Sequence, residues 1–199
     1  MRRIDDICQR TKINLMCPLR EDKKLLVLDL DYTLVDFSVK DGDFERRKRP
    51  FCDEMLTELY KYYDIVIWSQ TSWKWLELKL TEFGFLSHPN YSIAFVLDAS
   101  SMPVVTTLNR RGQKRKHAIK PLSIIWKLFP RFSASNTLHV DDLQRNFVLN
   151  PENGLLVTPF KVQNRDGDRE LEELTEYLKC LAQECEDVRE RNLGAWREG

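Results

Sequence analysis

The chain has 199 residues, of which 42% are hydrophobic and 11% aromatic. This composition is typical of one globular domain with a sizeable core and excludes a largely disordered chain. Acidic and basic residues number 31 each, so the overall charge indicates neither a nucleic acid nor a membrane surface as a partner. No apolar run approaches the roughly 20 residues that a bilayer-spanning helix needs, and the first residues lack the apolar stretch of a signal peptide.

The cysteines give a first indication of the compartment. There are five of them, with no CxxC pair: Cys8, Cys17, Cys52, Cys180 and Cys185. An odd number without that spacing argues against a zinc site and against a disulfide framework. The pattern therefore predicts reduced thiols in an intracellular protein.

Residues 25–28, Leu-Leu-Val-Leu, are the first strongly predicted strand. Because branched apolar residues follow one another, we expect this strand to be buried on both faces of a parallel sheet. It leads into Asp29, Asp31 and Thr33, and ligands of such sheets bind where the strands end. Buried carboxylates are unfavourable unless a cation or hydrogen-bond donors compensate them. Mg²⁺ is the natural partner, because it prefers hard oxygen ligands.

The spacing of these three residues suggests separate roles. Asp29, directly after the strand, could attack a phosphoryl group and form an aspartyl-phosphate. Asp31, two residues further on, could protonate the leaving oxygen and later activate water, and Thr33 could hold Asp31 in place through its hydroxyl. The alternative is that the two aspartates only end the strand and begin a turn. The apolar run before them and Thr33 after them favour chemistry.

Strands and helices alternate after the first motif. Pro50 opens a predicted helix that extends through Tyr63, and residues 65–68 form a second buried strand that ends at Ser69. This alternation implies a parallel sheet with right-handed crossovers, which brings Ser69 to the same edge as Asp29. The Ser69 hydroxyl could hold a phosphate oxygen or cap the following helix, and the sequence leaves both interpretations open.

Residues 92–97 and 104–108 have the pattern of two short strands around a turn, which predicts a small antiparallel insertion at the edge of the sheet. A basic segment at 110–117 follows and is predicted to be a loop. It could capture an acidic or phosphorylated partner or serve as a nuclear import signal. A solvated hairpin tip is the alternative for residues 114–116.

Two later segments bring further charges to the predicted strand ends. Lys120 precedes Pro121 and a helix with an apolar face, so its ammonium could point into the cleft and neutralise a phosphoryl transition state. A third buried strand, at 137–140, ends in Asp141 and Asp142. Two acidic strand ends in one parallel sheet form a cluster suited to a divalent cation, although the pattern does not choose between Asp141 and Asp142 as the ligand.

The remaining pattern completes the fold prediction. Residues 155–157 suggest a short strand, and Asp168 is placed to cap a helix whose leucines repeat along one face. We therefore predict an α/β protein with a Rossmann-like parallel sheet flanked by helices and a small antiparallel β insertion. Residues 24–199 are predicted to form this domain, and residues 1–23 a helical extension or linker.

The order of these motifs resembles the haloacid dehalogenase superfamily. Residues 29–33, Asp-Leu-Asp-Tyr-Thr, match its DxDxT first motif, and the other three motifs are matched by Ser69, Lys120 and Asp141-Asp142. Within the superfamily, the chain is similar to the phosphatases that act on the C-terminal domain of RNA polymerase II. It is most similar to the branch whose members carry an amino-terminal ubiquitin-like domain. The resemblance extends from about Lys24 to Trp196.

The resemblance implies a haloacid-dehalogenase-like phosphatase domain over residues 24–199 and a Mg²⁺-dependent protein serine/threonine phosphatase. By matching the motifs, it assigns the nucleophile to Asp29 and the general acid/base to Asp31. It also implies that Ser69 and Lys120 bind the substrate phosphate.

The same resemblance implies a set of metal ligands. These are Asp29, the backbone carbonyl of Asp31, and Asp142, with Thr33 and Asp141 supporting them from outside the coordination sphere. The implied cofactor is Mg²⁺. The choice of Asp142 rests on this resemblance alone.

The resemblance also guides the expected partners. The segments between the motifs are short, so no cap domain is expected over the cleft, and an uncapped cleft suits a phosphorylated protein substrate. Neither a nucleic acid nor a membrane is expected as a partner. Because the first motif lies close to Met1, we expect the ubiquitin-like domain to be absent and the family's link to the proteasome not to carry over. The resemblance and the basic runs imply a nuclear location.

Two other functions compete with an active protein phosphatase. One is a phosphoprotein-binding module of the same fold with weak catalytic activity. The other is a small-molecule phosphatase. The presence of every motif residue that carries chemistry favours the active protein phosphatase over both.

Overall fold

The computed structural model describes residues 2–39, 42–108 and 112–197. Within them lie the strands β1 (Lys24–Leu28), β2 (Tyr63–Trp68), β3 (Ile93–Leu97), β4 (Val104–Leu108), β5 (Lys114–Ala118), β6 (Thr137–Asp141) and β7 (Gly154–Leu156). Five of them form one parallel sheet in the order β3-β2-β1-β6-β7, and β4 pairs with β5 in an antiparallel hairpin. The predicted fold class is therefore confirmed.

Helices cover both faces of the parallel sheet. They are α1 (Arg2–Arg10), α2 (Phe44–Arg47), α3 (Cys52–Leu59), α4 (Trp73–Glu82), α5 (Ser123–Leu128) and α6 (Glu170–Glu184). Alternate residues of β1 enter different apolar clusters, because successive side chains of a strand point to opposite faces. Leu26 and Leu28 pack with α3, α4 and α6, whereas Leu25 and Val27 pack with α1 and α5. In the described part of the chain, no helix is long and apolar enough to span a bilayer.

The predicted amino-terminal extension contains α1, which packs against α5 and buries Ile7 in the core. The segment between α1 and β1 is also attached to the sheet. Arg20 donates hydrogen bonds to Asp64 at the start of β2, and the Met16 N–H donates to the carbonyl of Ala94 in β3. A domain boundary between residues 23 and 24 stays a prediction.

The antiparallel insertion differs from the prediction. Residues 92–97 were expected to pair with 104–108, but β3 lies in the main sheet beside β2, and the partner of β4 is β5. The sequence of β5, Lys-Arg-Lys-His-Ala, carries no apolar alternation because the hairpin is largely exposed on both strands. Arg110 and Arg111 of the predicted basic loop lie outside the described residues.

The predicted helix at 50–63 is too long. It ends at Leu59, and Tyr63 begins β2 opposite Lys24 of β1. The Tyr63 hydroxyl donates a 2.7 Å hydrogen bond to the carbonyl of Leu178, which fastens the strand to α6. Tyr63 continued the apolar spacing of the helix by coincidence, because a buried strand residue satisfies the same pattern.

Most of the basic run at 46–49 is buried. Arg47, Lys48 and Arg49 are buried, and each side chain is held by an oxygen acceptor. Arg47 donates to the carbonyl of Asp36, Lys48 pairs with Asp53, and Arg49 pairs with Asp168. Because buried cations require such partners, these three residues hold the fold together and do not form an exposed basic patch.

A close contact beside the sheet edge predicts a stability effect. An alanine Cβ at Gly154 would lie 2.5 Å from the ring of Phe147, which packs edge-on against His139. We expect Gly154→Ala to lower the free energy of unfolding by about 1–3 kcal/mol, because the buried ring must move. Urea denaturation measures this change. Adding Phe147→Leu to Gly154→Ala should restore part of the loss, and equal stability of Gly154→Ala and wild type would contradict the contact.

Candidate active site

The parallel register brings three strand ends to one edge of the sheet. Leu28 at the end of β1 is opposite Ile67 of β2 and Val140 of β6. The backbone N–H of Asp29 continues the ladder by donating to the carbonyl of Val140 over 2.9 Å, and the N–H of Ser69 donates to the carbonyl of Leu97 in β3 over 3.0 Å. The motif residues that follow β1, β2 and β6 therefore meet, as the sequence predicted.

Asp29 is buried and held from two sides. Its Oδ2 accepts a 3.0 Å hydrogen bond from the Thr33 hydroxyl, and its Oδ1 accepts one from the ammonium of Lys120. Burial raises the pKa of Asp29 to about 7, although the positive charge of Lys120 opposes this increase.

Thr33 was expected to hold Asp31, and this prediction is wrong. The chain turns sharply after Asp31, where Tyr32 adopts a left-handed conformation with φ 67° and its N–H donates to the carbonyl of Val35. This turn returns the Thr33 hydroxyl to Asp29 instead. Such backbone geometry is uncommon for a residue with a side chain and is not encoded in the spacing of the motif.

Lys120 and Asp141 form a buried pair beside Asp29. The Lys120 side chain is fully buried, and its Nζ donates to Asp29 and, over 2.7 Å, to Oδ2 of Asp141. Asp141 also accepts hydrogen bonds from the Asn146 amide (2.8 Å) and the Leu143 N–H (2.9 Å). Burial alone would raise the pKa of Asp141, but the charge of Lys120 and the contacts of the carboxylate with His139 and Lys120 together hold that pKa below its ordinary value. Lys120 thus points into the site, as its sequence context predicted.

Asp142 completes a cluster of three carboxylates. Oxygens of Asp29, Asp141 and Asp142 lie within 4.8 Å of one another. Burial raises the pKa of Asp142 to about 6, and the charge of Asp141 adds to the increase. Within the described part of the chain, no donor contacts the buried Oδ1 of Asp142, whereas both oxygens of Asp141 accept hydrogen bonds.

This donor set fits a hard divalent cation. Crowded carboxylates with an unpartnered buried oxygen are stabilised by a cation that takes oxygen ligands, as Mg²⁺ does. The sequence pattern alone did not choose between Asp141 and Asp142, and the free oxygen on Asp142 favours the residue that the resemblance implied. The role implied for the backbone carbonyl of Asp31 stays a prediction.

Asp31 faces the segment that joins β2 to α4. Its Oδ2 accepts hydrogen bonds from the hydroxyls of Ser69 (2.9 Å) and Thr71 (3.3 Å), and its Oδ1 forms an ion pair with Lys79 of α4. Sequence reasoning missed Thr71 and Lys79. In the sequence, the indication for Lys79 was its position directly before the buried Leu80, which places it beside the apolar face of α4.

The contacts of Ser69 distinguish between binding a phosphate and capping the following helix. The first N–H of α4, on Trp73, donates to the carboxylate of Asp98 over 2.8 Å. The Ser69 hydroxyl donates to Asp31 and accepts from the N–H of Thr71. Ser69 therefore does not cap α4, and its fully buried hydroxyl lies beside the carboxylates, where it is available to a phosphate oxygen.

Comparison with known proteins identifies the family of the chain. Residues 24–189 match the family described as NLI interacting factor-like phosphatase. A ubiquitin-like domain-containing CTD phosphatase of Arabidopsis thaliana is 46% identical over 198 residues, which cover 98% of this chain and 56% of that protein. Ubiquitin-like domain-containing CTD phosphatase 1 of Homo sapiens is 45% identical over 188 residues, which cover 93% of this chain and 58% of that protein.

The chain thus spans little more than half the length of these relatives. The solved structure of Fcp1, described as an essential RNA polymerase II CTD phosphatase, is similar in fold. Its TM-score is 0.57 at 16% sequence identity, over 81% of this chain and 63% of Fcp1. The match over residues 24–189 and the identity with the two relatives lead to the same conclusion: the chain belongs to the NLI interacting factor-like phosphatase family.

Proposed function

We propose that this chain is a Mg²⁺-dependent phosphatase that acts on phosphoserine or phosphothreonine in proteins through an aspartyl-phosphate. The observation that carries the proposal is the environment of Asp29. This carboxylate lies at a strand end, hydrogen-bonded to Lys120 and Thr33 and clustered with Asp142. The names of the relatives, which are CTD phosphatases, support the same reaction class.

In the first step, a carboxylate oxygen of Asp29 attacks the phosphorus atom and forms a P–O bond. The bond from phosphorus to the serine or threonine oxygen breaks, and Asp31 gives its proton to that leaving oxygen. Thr33 orients Asp29 through the hydrogen bond to Oδ2. In the second step, water attacks the phosphorus of the aspartyl-phosphate while Asp31 removes its proton. Inorganic phosphate leaves, and the Asp29 carboxylate is regenerated.

The phosphate is held by groups already at the site. The ammonium of Lys120, between Asp29 and Asp141, is placed to balance the negative charge of the transition state. The Ser69 hydroxyl can turn from Asp31 to donate to a phosphoryl oxygen. Bound Mg²⁺, with Asp29, Asp142 and the carbonyl of Asp31 as ligands, would neutralise charge on the phosphoryl oxygens.

We infer that the substrate is a protein segment. The connections between the motif strands are short in the described chain: β1 is followed by the four-residue α2 and by α3, and β3 by the β4–β5 hairpin. Such short insertions are too small to form a separate cap domain, and a phosphorylated side chain on a protein needs an open approach. A nuclear location is proposed from the family resemblance and the exposed residues Lys114, Arg115 and Lys116.

Phosphate release from a phosphoserine peptide tests this function. We expect release in Mg²⁺ and none after chelation, because the carboxylate cluster needs a cation to accept a phosphate dianion. Asp142→Asn is expected to raise the Mg²⁺ concentration for half-maximal release by about 10–100-fold. Asp166→Asn, on an exposed loop before α6, is the matched control and should leave that concentration unchanged.

Each alternative has its own outcome. Full release in the presence of a chelator would contradict the Mg²⁺ requirement. Tight phosphopeptide binding without release, from a folded protein, would favour the phosphoprotein-binding module. Much faster turnover of a metabolite than of any phosphopeptide would favour the small-molecule phosphatase.

A further inference from the structure

We propose that Lys79 is a positioning residue that holds the carboxyl group of Asp31 in place for proton transfer to the leaving oxygen. The proposal rests on the proposed function, in which Asp31 is the acid. It assigns a role to a side chain that lies outside the four motifs, in the last turn of α4.

The contacts of Asp31 come from one segment of the chain. Ser69 and Thr71 lie on the loop after β2, Lys79 lies on α4, and all three donate to Asp31. The Asp31 side chain is 27% exposed, so it stands at the mouth of the site and not in the buried cluster around Asp29. Without such restraints, a side chain in that position would be free to rotate towards solvent.

The restraints from Ser69 and Thr71 are weaker than that from Lys79. A hydroxyl has a single proton to donate, so Ser69 cannot hold Asp31 and a phosphoryl oxygen at the same time. When a substrate phosphate takes the Ser69 proton, Asp31 loses its 2.9 Å contact. Thr71 lies further away, at 3.3 Å. Lys79 has three protons to donate, so it can keep its hydrogen bond to Oδ1 of Asp31 whether that carboxyl group is ionised or protonated.

Lys79 is itself fixed in position. Its Nζ donates a second hydrogen bond to the Thr71 hydroxyl over 3.1 Å and lies 3.8 Å from the centre of the Phe37 ring. Phe37 packs edge-on against Phe83 at the end of α4. The neighbouring Leu80 is fully buried, so the helix backbone that carries Lys79 is anchored in the core. An ammonium held by an acceptor, an aromatic face and a rigid helix is preorganised to orient a partner.

This role predicts an effect that depends on the leaving group. A serine alkoxide needs a proton as it departs, whereas a nitrophenolate is stable as an anion and departs without one. Loss of the positioning of Asp31 therefore slows the reaction of a phosphoserine peptide more than that of p-nitrophenyl phosphate. A defect in phosphate binding or folding would slow both substrates by the same factor.

The test compares kcat/KM of the two substrates, because this constant reports the steps up to departure of the leaving group. We expect Lys79→Met to lower kcat/KM for the phosphoserine peptide by about 10–100-fold and for p-nitrophenyl phosphate by less than about 3-fold. Lys79→Gln, which keeps a polar side chain, provides a second variant, and thermal denaturation checks that both are folded. Lys74→Met, exposed on the same helix, is the control and should change neither constant.

A double variant gives an independent result. If Lys79 acts through Asp31, Lys79→Met should add no more than about 2-fold to the loss that Asp31→Asn causes alone. Equal losses for both substrates, or a full additional loss in the Asp31→Asn background, would overturn the role of Lys79 and leave the phosphatase function intact. A wild-type protein that releases phosphate from neither substrate would overturn both proposals.

Discussion

Asp29→Asn is expected to lower phosphate release from a phosphoserine peptide by at least about 10³-fold, because the nucleophile is lost and no neighbouring group replaces it. The substitution preserves the shape of the side chain. The Thr33 hydroxyl can still donate to the amide oxygen, and Lys120 keeps its ion pair with Asp141. The loss should therefore occur in a folded protein, with the unfolding temperature as the check.

The covalent intermediate provides a second measurement for the same variant. Acid quenching during turnover of a ³²P-labelled phosphopeptide should leave label on the wild-type chain, and hydroxylamine should remove it, as expected for an acyl phosphate. Asp29→Asn should carry no label, whereas Asp166→Asn, exposed on the loop before α6, should behave as wild type. Labelling of Asp29→Asn would assign the nucleophile to another residue. A wild type that binds phosphopeptide without labelling or release would favour the binding module.

The sequence was sufficient to predict the parts of the site that depend on strand ends. A run of buried residues is followed by a carboxylate at Leu28-Asp29 and at Val140-Asp141, and a similar run is followed by the hydroxyl of Ser69. Parallel pairing places such positions together regardless of the details of packing. This is why Asp29, Ser69 and Asp141 were predicted to meet and do so in the structure.

Features that depend on tertiary contacts were not predictable. β3 was assigned to the insertion because a five-residue apolar strand has the same pattern in a hairpin and in a sheet. β5 was predicted as a loop because its charged side chains face solvent on a small hairpin. The partner of Thr33 depends on the left-handed turn at Tyr32, and the contact of Lys79 with Asp31 joins residues 48 positions apart. Neither of these two contacts produces a periodic pattern in the sequence.

The contacts of Arg49 were likewise not predictable from the sequence, and substitution of this residue has the largest expected effect on stability. Its side chain is 1% exposed and pairs with Asp168 (3.0 Å) and Glu170 (2.5 Å) at the start of α6. It also donates to the backbone carbonyls of Thr33 (3.4 Å) and Thr158 (3.0 Å). One guanidinium therefore joins the turn that carries Thr33, the segment after β7 and the first turn of α6.

Arg49→Met is expected to lower the free energy of unfolding by about 3–5 kcal/mol, because removing one partner of a buried ion pair leaves uncompensated charge and unpaired carbonyls. Urea denaturation at neutral pH measures the change. Arg46→Met, exposed in the same basic run, should change it by less than about 0.5 kcal/mol. Asp168→Asn in the Arg49→Met background should recover part of the loss, since one uncompensated carboxylate is then neutral. A change below about 1 kcal/mol for Arg49→Met would mean that water replaces the guanidinium, and that the buried basic run does not hold the turn of the active site in place.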